Sequence, residues 1–341
     1  MTARTCFVSL AAGVAPKLAE EAGLRSREEQ SDHMSGVAVD PRTEIADRIA
    51  RLKQERKAVI LAHNYQLGEV QDIAGFVGDS LELSRKATEV EADVIVFCGV
   101  MFMAETAKIL NPQRTVLIPD PLAGCPMCDM APVDAVRKRK AELPGVPVVA
   151  YVNTTADVKA EVDICCTSAN AVKVVESLPE DRVLFLPDKN LALWVQRHTK
   201  KEIIPWNGYC PTHQRILAQD VRRLREEHPE AAVIAHPECT PDVVDLADEV
   251  LSTGQMIRWA NQTAVREIIV GTEVGLIHRL KKESPDKTFI QISPLTTCPN
   301  MKRITLEKVL WALEDMRHPV EVPEETAAKA RQAIERMLAV V

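Results

Sequence analysis

The feature that most restricts the fold of this 341-residue chain is a cysteine loop that occurs three times: Ala123-Gly124-Cys125-Pro126-Met127, Pro205-Trp206-Asn207-Gly208-Tyr209-Cys210-Pro211-Thr212-His213 and Thr296-Thr297-Cys298-Pro299-Asn300. Positions 125, 210 and 298 are separated by 85 and 88 residues, and each cysteine is followed by proline. A period of that length means one cysteine from each of three similar supersecondary units. Upstream, an apolar run ends in a polar cluster three times: Val59-Ile60-Leu61-Ala62 before His63-Asn64-Tyr65, Val148-Val149-Ala150 before Tyr151-Val152-Asn153, and Val233-Ile234-Ala235 before His236-Pro237-Glu238. Ser80, Ser168 and Thr253 each lie 17 residues after the first member of the cluster, and the cysteines follow them by 45, 42 and 45 residues.

Strand-like and helix-like patterns alternate inside each unit, which predicts parallel sheets covered by helices. In the first, a helix over Thr43–Glu55 precedes a strand over 58–62; Val70, Ile73 and Val77 predict a helix ending near Gly78, and Asp79-Ser80 opens another over 81–90. In the second, Thr167-Ser168 opens a helix over 169–177. A charged helix over 215–227 leads into the third, where Ser252 and Gln255 stand at capping-box spacing. Helices over 306–316 and 324–338 close the chain, the first directing Val309, Leu310 and Leu313 inward.

The expected architecture is therefore α/β: three pseudo-threefold-related modules, each a short parallel sheet covered by helices, with the site on the central axis. Ligands of open parallel sheets sit beyond the carboxyl ends of the strands, where all the polar clusters and Cys-Pro loops fall. The expected boundaries are an N-terminal extension over 1–40, modules over 41–128, 129–213 and 214–300, and C-terminal helices over 301–341 that pack on them. The extension is read as poorly ordered, without a convincing signal peptide and with Met34 as an alternative start.

An apolar content of 46% suits a globular chain, and a net charge of −7 argues against a nucleic-acid partner, which needs a basic face. No apolar run approaches the roughly 20 residues of a membrane span. Nine cysteines, an odd number without a secretory signal, point to a reducing, cytoplasmic compartment.

Taken singly, a buried thiol is a small hydrophobe, and Cys6, Cys98, Cys165, Cys166 and Cys239 are read that way. Three Cys-Pro loops in register fit an iron–sulfur cluster or zinc. Three protein ligands would leave one iron of a four-iron cluster open. A rival structural zinc site would combine Cys125-x-x-Cys128 with Cys210-x-x-His213, but it leaves the third loop unexplained. Ser80, Ser168 and Thr253 read as helix caps that also suit anions. Glu238, the only carboxylate of the three clusters, is the candidate acid–base group. An iron–sulfur electron carrier or sensor and a zinc-stapled binding protein are the alternatives from other classes.

Motifs in fixed order carry a more specific likeness. Ala62-His63-Asn64-Tyr65-Gln66, Gly78-Asp79-Ser80, Phe102-Met103-Ala104-Glu105, Tyr151-Val152-Asn153, Cys166-Thr167-Ser168-Ala169-Asn170-Ala171, Pro187-Asp188-Lys189-Asn190-Leu191, His236-Pro237-Glu238-Cys239, Ser252-Thr253-Gly254-Gln255-Met256, Gly271-Thr272-Glu273 and Met301-Lys302 resemble quinolinate synthase, from about Ile45 to Leu313. The resemblance implies one four-iron four-sulfur cluster per chain, held by Cys125, Cys210 and Cys298. It implies condensation of iminosuccinate with dihydroxyacetone phosphate to quinolinate in de novo NAD synthesis, coupled to an aspartate-oxidising enzyme that supplies the imine. It assigns His63, Ser80, Tyr151, Asn153, Ser168, His236, Glu238 and Thr253 to the iminosuccinate-derived part. Tyr65 and Glu238 would move protons, and His213 would line the phosphate side.

Overall fold

The computed structural model describes residues 41–340. The expected extension over 1–40, with Cys6 and Met34, lies outside the described residues.

Among the described residues, twelve strands form three four-stranded parallel sheets: β1 (Ala58–His63), β2 (Phe76–Gly78), β3 (Val94–Cys98) and β4 (Thr115–Leu117); β5 (Val148–Tyr151), β6 (Ile164–Cys166), β7 (Arg182–Leu186) and β8 (Glu202–Pro205); β9 (Ala232–Ala235), β10 (Glu249–Val250), β11 (Glu267–Gly271) and β12 (Thr288–Gln291). Each sheet has the same spatial order, second strand, first, third, fourth: β2-β1-β3-β4, β6-β5-β7-β8 and β10-β9-β11-β12. This is the three-module α/β arrangement expected from the repeat. The central strands are continuous apolar runs, such as Val94-Ile95-Val96-Phe97-Cys98, because helices cover both faces of a parallel sheet.

The second strand of every sheet, absent from the sequence reading, has only two or three residues and occupies an edge. In the first module the helix expected to reach Gly78 is Gly68–Ile73, and Phe76–Gly78 pairs with Leu61–His63. Gly75 passes so close to β1 that a Cβ there would lie 3.1 Å from Val59 Cγ2. A helical i, i+3, i+7 pattern is thus satisfied by a short helix and a following strand that bury against the same core. The helix expected from 169 is Ala171–Glu176, and the one expected from 215 becomes a single turn, His213–Arg215, followed by a helix over Ala218–Glu227. Val309, Leu310 and Leu313 are buried as their spacing requires, and the helix Glu324–Ala339 packs its Ala330, Ala333, Ile334 and Met337 against the first two modules.

Each cysteine loop is held by the same backbone bond. The amide just beyond the third strand of each sheet donates to the carbonyl two residues before the cysteine: Met101 to Ala123 (2.8 Å), Lys189 to Gly208 (2.8 Å) and Val274 to Thr296 (2.9 Å). Proline after the cysteine lacks an amide and presets φ, so it starts a turn at little cost. Turns follow accordingly at Pro126–Asp129, His213–Arg215 and Met301–Arg303.

Gly208 sits inside one of these clamps, and a Cβ there would lie 2.4 Å from the Pro187 carbonyl oxygen, whereas one on Gly124 would meet nothing within 4 Å. Gly208→Ala is therefore expected to destabilise the chain by about 1–3 kcal/mol in urea unfolding, and Gly124→Ala by no more than about 0.5 kcal/mol. Equal effects of the two substitutions would contradict the clamp as described.

Candidate active site

The three clamps and the carboxyl ends of β1, β5, β9 and β11 surround one cavity of about 210 Å³. Its lining includes Cys125, Cys210 and Cys298 together with His63, Tyr65, Ser80, Tyr151, Asn153, Ser168, His213, His236, Glu238 and Thr253. Every residue singled out from sequence as a site candidate thus faces the same space. Cys128 does not line it; that side chain is buried behind Cys125.

Amides from the turns point at the sulfurs: Met127 and Cys128 at Cys125, His213 at Cys210, Asn300 and Met301 at Cys298. Two buried carboxylates tighten the loops further. Asp188 accepts from Cys210 N (3.2 Å) and Leu191 N (2.8 Å), and Glu273 accepts from Cys298 N (2.9 Å), Gly275 N (2.7 Å) and Lys302 Nζ. Cys125 is near enough to both other cysteines to act on their ionisation. Its own thiol is held far up by the adjacent Cys128 thiol and by burial, while burial raises Cys210 and Cys298.

Beside the Cys210 sulfur runs a connected polar chain. Tyr65 OH is 2.6 Å from Thr272 Oγ1, which is 2.8 Å from His213 Nε2. His213 Nδ1 lies 2.7 Å from Glu238 Oε2, though off the axis of a linear hydrogen bond. The tautomer consistent with these partners carries its proton on Nδ1, facing the carboxylate, and accepts from Thr272 on Nε2. His236 stacks on His213 with ring centroids 4.7 Å apart, and its Nε2 is 3.2 Å from Ser168 Oγ. Among the described residues Cys125 and Cys128 do not join Cys210 and His213 in one group of donor atoms, so the Cys3His zinc arrangement is not assembled. Cys210, His213 and Glu238 instead offer sulfur, nitrogen and oxygen atoms within 4.8 Å of one another, close enough to share a metal ion.

The hydroxyl residues correct one expectation. The N-caps are Asp79 and Ser252, and Ser80 and Thr253 are the first helical residues after them. Ser168 precedes a helix capped by Asn170. Asp79 accepts from Leu81 N and Glu82 N, so the first-turn amides are already occupied, and Ser252 donates to Asp79 across the modules at 3.2 Å. Ser80 and Thr253 line the cavity beside these caps. Sequence reasoning missed Thr272, Asn64 and the two clamp carboxylates as working parts. Asn64 donates to Thr253 Oγ1 at 2.9 Å and accepts from Arg279 at 2.8 Å. Thr272 and Glu273 stand just beyond β11, where the strand-end rule would have found them.

Glu238 is 3% exposed. Burial pushes its carboxyl up, but His213, His236 and a hydrogen bond from Tyr151 outweigh it and hold the group below the usual carboxylate range. Burial and the Glu238 charge push the Tyr65 and Tyr151 hydroxyls far up, so both stay protonated. Asn153 Oδ1 is a buried acceptor without a protein partner among the described residues. Burial drives His63 and His236 down to about 3. Below about pH 6.5 the unfolded chain binds protons that the folded chain refuses. Stability should therefore fall as pH drops through that value, by roughly 1.4 kcal/mol per pH unit for each histidine. Urea unfolding from about pH 7.5 to about 5.5 should show this slope, and His236→Gln should remove about one proton from it; an unchanged slope would count against a neutral buried His236.

The sequence model of the family described as "Quinolinate synthetase A protein" matches residues 47–339. A quinolinate synthase of Dehalococcoides mccartyi is 61% identical over 297 residues, covering 87% of this chain and 98% of the relative. One from Thermodesulfovibrio yellowstonii is 54% identical over 296 residues, covering 86% and 98%, and quinolinate synthase 1 of Methanosarcina acetivorans is 56% identical over 297 residues, covering 87% and 98%. The repeated sheets, the converging cysteine loops and these matches lead to one conclusion: the chain belongs to the quinolinate synthetase A family.

Proposed function

We propose that this chain is a quinolinate synthase that joins iminosuccinate to dihydroxyacetone phosphate, releasing phosphate and two waters, in de novo NAD synthesis. The observation that carries the reading is the delivery of three thiols by three identically clamped loops to one cavity that is also lined by the buried Glu238–His213–Thr272–Tyr65 chain. The names of the relatives support the activity. A reducing, cytoplasmic setting and an aspartate-oxidising supplier of the imine belong to the same proposal.

The donor set fits a four-iron four-sulfur cluster. Three thiols reach one cavity from separate loops, and turn amides are aimed at each sulfur, as ligand sulfurs of such clusters require. Cys125, Cys210 and Cys298 would hold the cluster, which when bound would supply Lewis-acid polarisation of the condensing substrate.

The remaining chemistry falls to this chain's own groups. Glu238, ionised and buried, takes protons at its Oε atoms, and His213 delivers them from the Thr272–Tyr65 side, accepting at Nε2 as its Nδ1 proton passes to the carboxylate. The Tyr65 hydroxyl, held protonated, donates to developing negative charge without itself ionising. Hydroxyls of Ser80, Ser168 and Thr253, with the neutral His63 and His236, offer hydrogen bonds to carboxylates of the iminosuccinate-derived part, and the orphaned Asn153 Oδ1 can accept from its N–H.

Anaerobically purified protein should contain about four irons and four sulfides per chain, and Cys298→Ser should lose both the iron and quinolinate formation. Full iron in that variant would remove Cys298 from the ligand set, and stoichiometric zinc without sulfide would overturn the cofactor. Glu238→Gln should keep the iron and lower kcat by about 10²–10⁴-fold.

A further inference from the structure

Resting on the proposed reaction, in which one substrate carries a phosphate dianion, we propose that Arg215 recognises that phosphate and holds the three-carbon ester at the mouth of the cavity. The lining contains three exposed residues: Pro126 and Pro299, from the first and third Cys-Pro pairs, and Arg215. These three mark where the cavity meets solvent.

Arg215 is also the single lysine or arginine among the described lining residues. Its guanidinium makes no side-chain hydrogen bond or ion pair with any described residue, unlike Lys302, which is spent on Glu273 and Tyr65 O. Deeper in, the carboxylate of Glu238 faces the cavity, and Asp79 and Glu273 are engaged in capping and clamping. A phosphate pushed inward would meet these carboxylates and no unpaired cation. At the mouth it keeps part of its hydration and can leave after elimination, while a planar guanidinium can engage two phosphate oxygens at once.

The backbone places the arginine firmly. Arg215 N donates to Thr212 O at 3.3 Å, Gln214 N donates to Cys210 O at 2.9 Å, and Ile216 is fully buried. The turn that brings Cys210 to the cavity thus presents Arg215 at its rim. His213, in the same turn, is 1% exposed with its nitrogens committed to Thr272 and Glu238, so it is not available to a phosphate at the mouth.

The test compares wild-type holoenzyme with Arg215→Gln and Arg215→Lys, with iminosuccinate generated in situ. Arg215→Gln should raise KM for dihydroxyacetone phosphate about 10- to 100-fold, with the main effect in KM rather than kcat. KM for iminosuccinate should stay within a few-fold, and Arg215→Lys should recover part of the loss. An unchanged KM for the phosphate ester, or equal rises for both substrates, overturns the assignment. Calorimetric titration with inorganic phosphate reads the arginine independently of turnover. Binding lost in Arg215→Gln supports the proposal, and equal binding overturns it. If wild-type holoenzyme forms no quinolinate, the reaction itself fails, while the phosphate titration still decides the role of Arg215.

Discussion

The site depends on one backbone hydrogen bond made three times, between the amide beyond each third strand and the carbonyl two residues before each cysteine. A parallel sheet fixes the height and direction of its strand ends, so this bond transfers sheet rigidity to a loop that would otherwise move freely. The following proline starts a turn whose amides face the sulfur, and the buried carboxylates of Asp188 and Glu273 add a second tie in two of the modules. Local sequence chemistry thus becomes convergence of three thiols only because the sheets themselves surround a common space.

The same cavity holds a polar interior that would be costly to bury without internal pairing. An unpaired carboxylate at the position of Glu238 would take up a proton rather than remain charged. His213, His236 and Tyr151 reverse that preference, and Thr272 extends the network to Tyr65. The same contacts that stabilise the anion define a path along which a proton can pass. Arg215 stands apart, at the edge where an anion can be met without full dehydration.

Much of this was legible in the residues. The Cys-Pro period, the 17-residue offset to a hydroxyl and the strand-end clusters identified the three modules and all thirteen candidates that line the cavity. What escaped was short or relational. Two- and three-residue edge strands leave no periodic trace, and Gly75 lets a helix-like pattern break into helix and strand. Thr272 stands at a strand end, but no local pattern reveals that its hydroxyl links His213 to Tyr65.

By itself the sequence determined that this protein would be α/β, built from three repeated units, with its polar clusters and cysteine loops at strand ends, because apolar periodicity and repeat spacing are local properties. Tertiary structure alone decided which atoms meet: that Cys125 rather than Cys128 faces the cavity, that Asp79 and Ser252 are the caps, and that Glu238 stays ionised under burial. Those outcomes depend on distances between modules and on the charge that one module places beside another, quantities that no stretch of a single module contains.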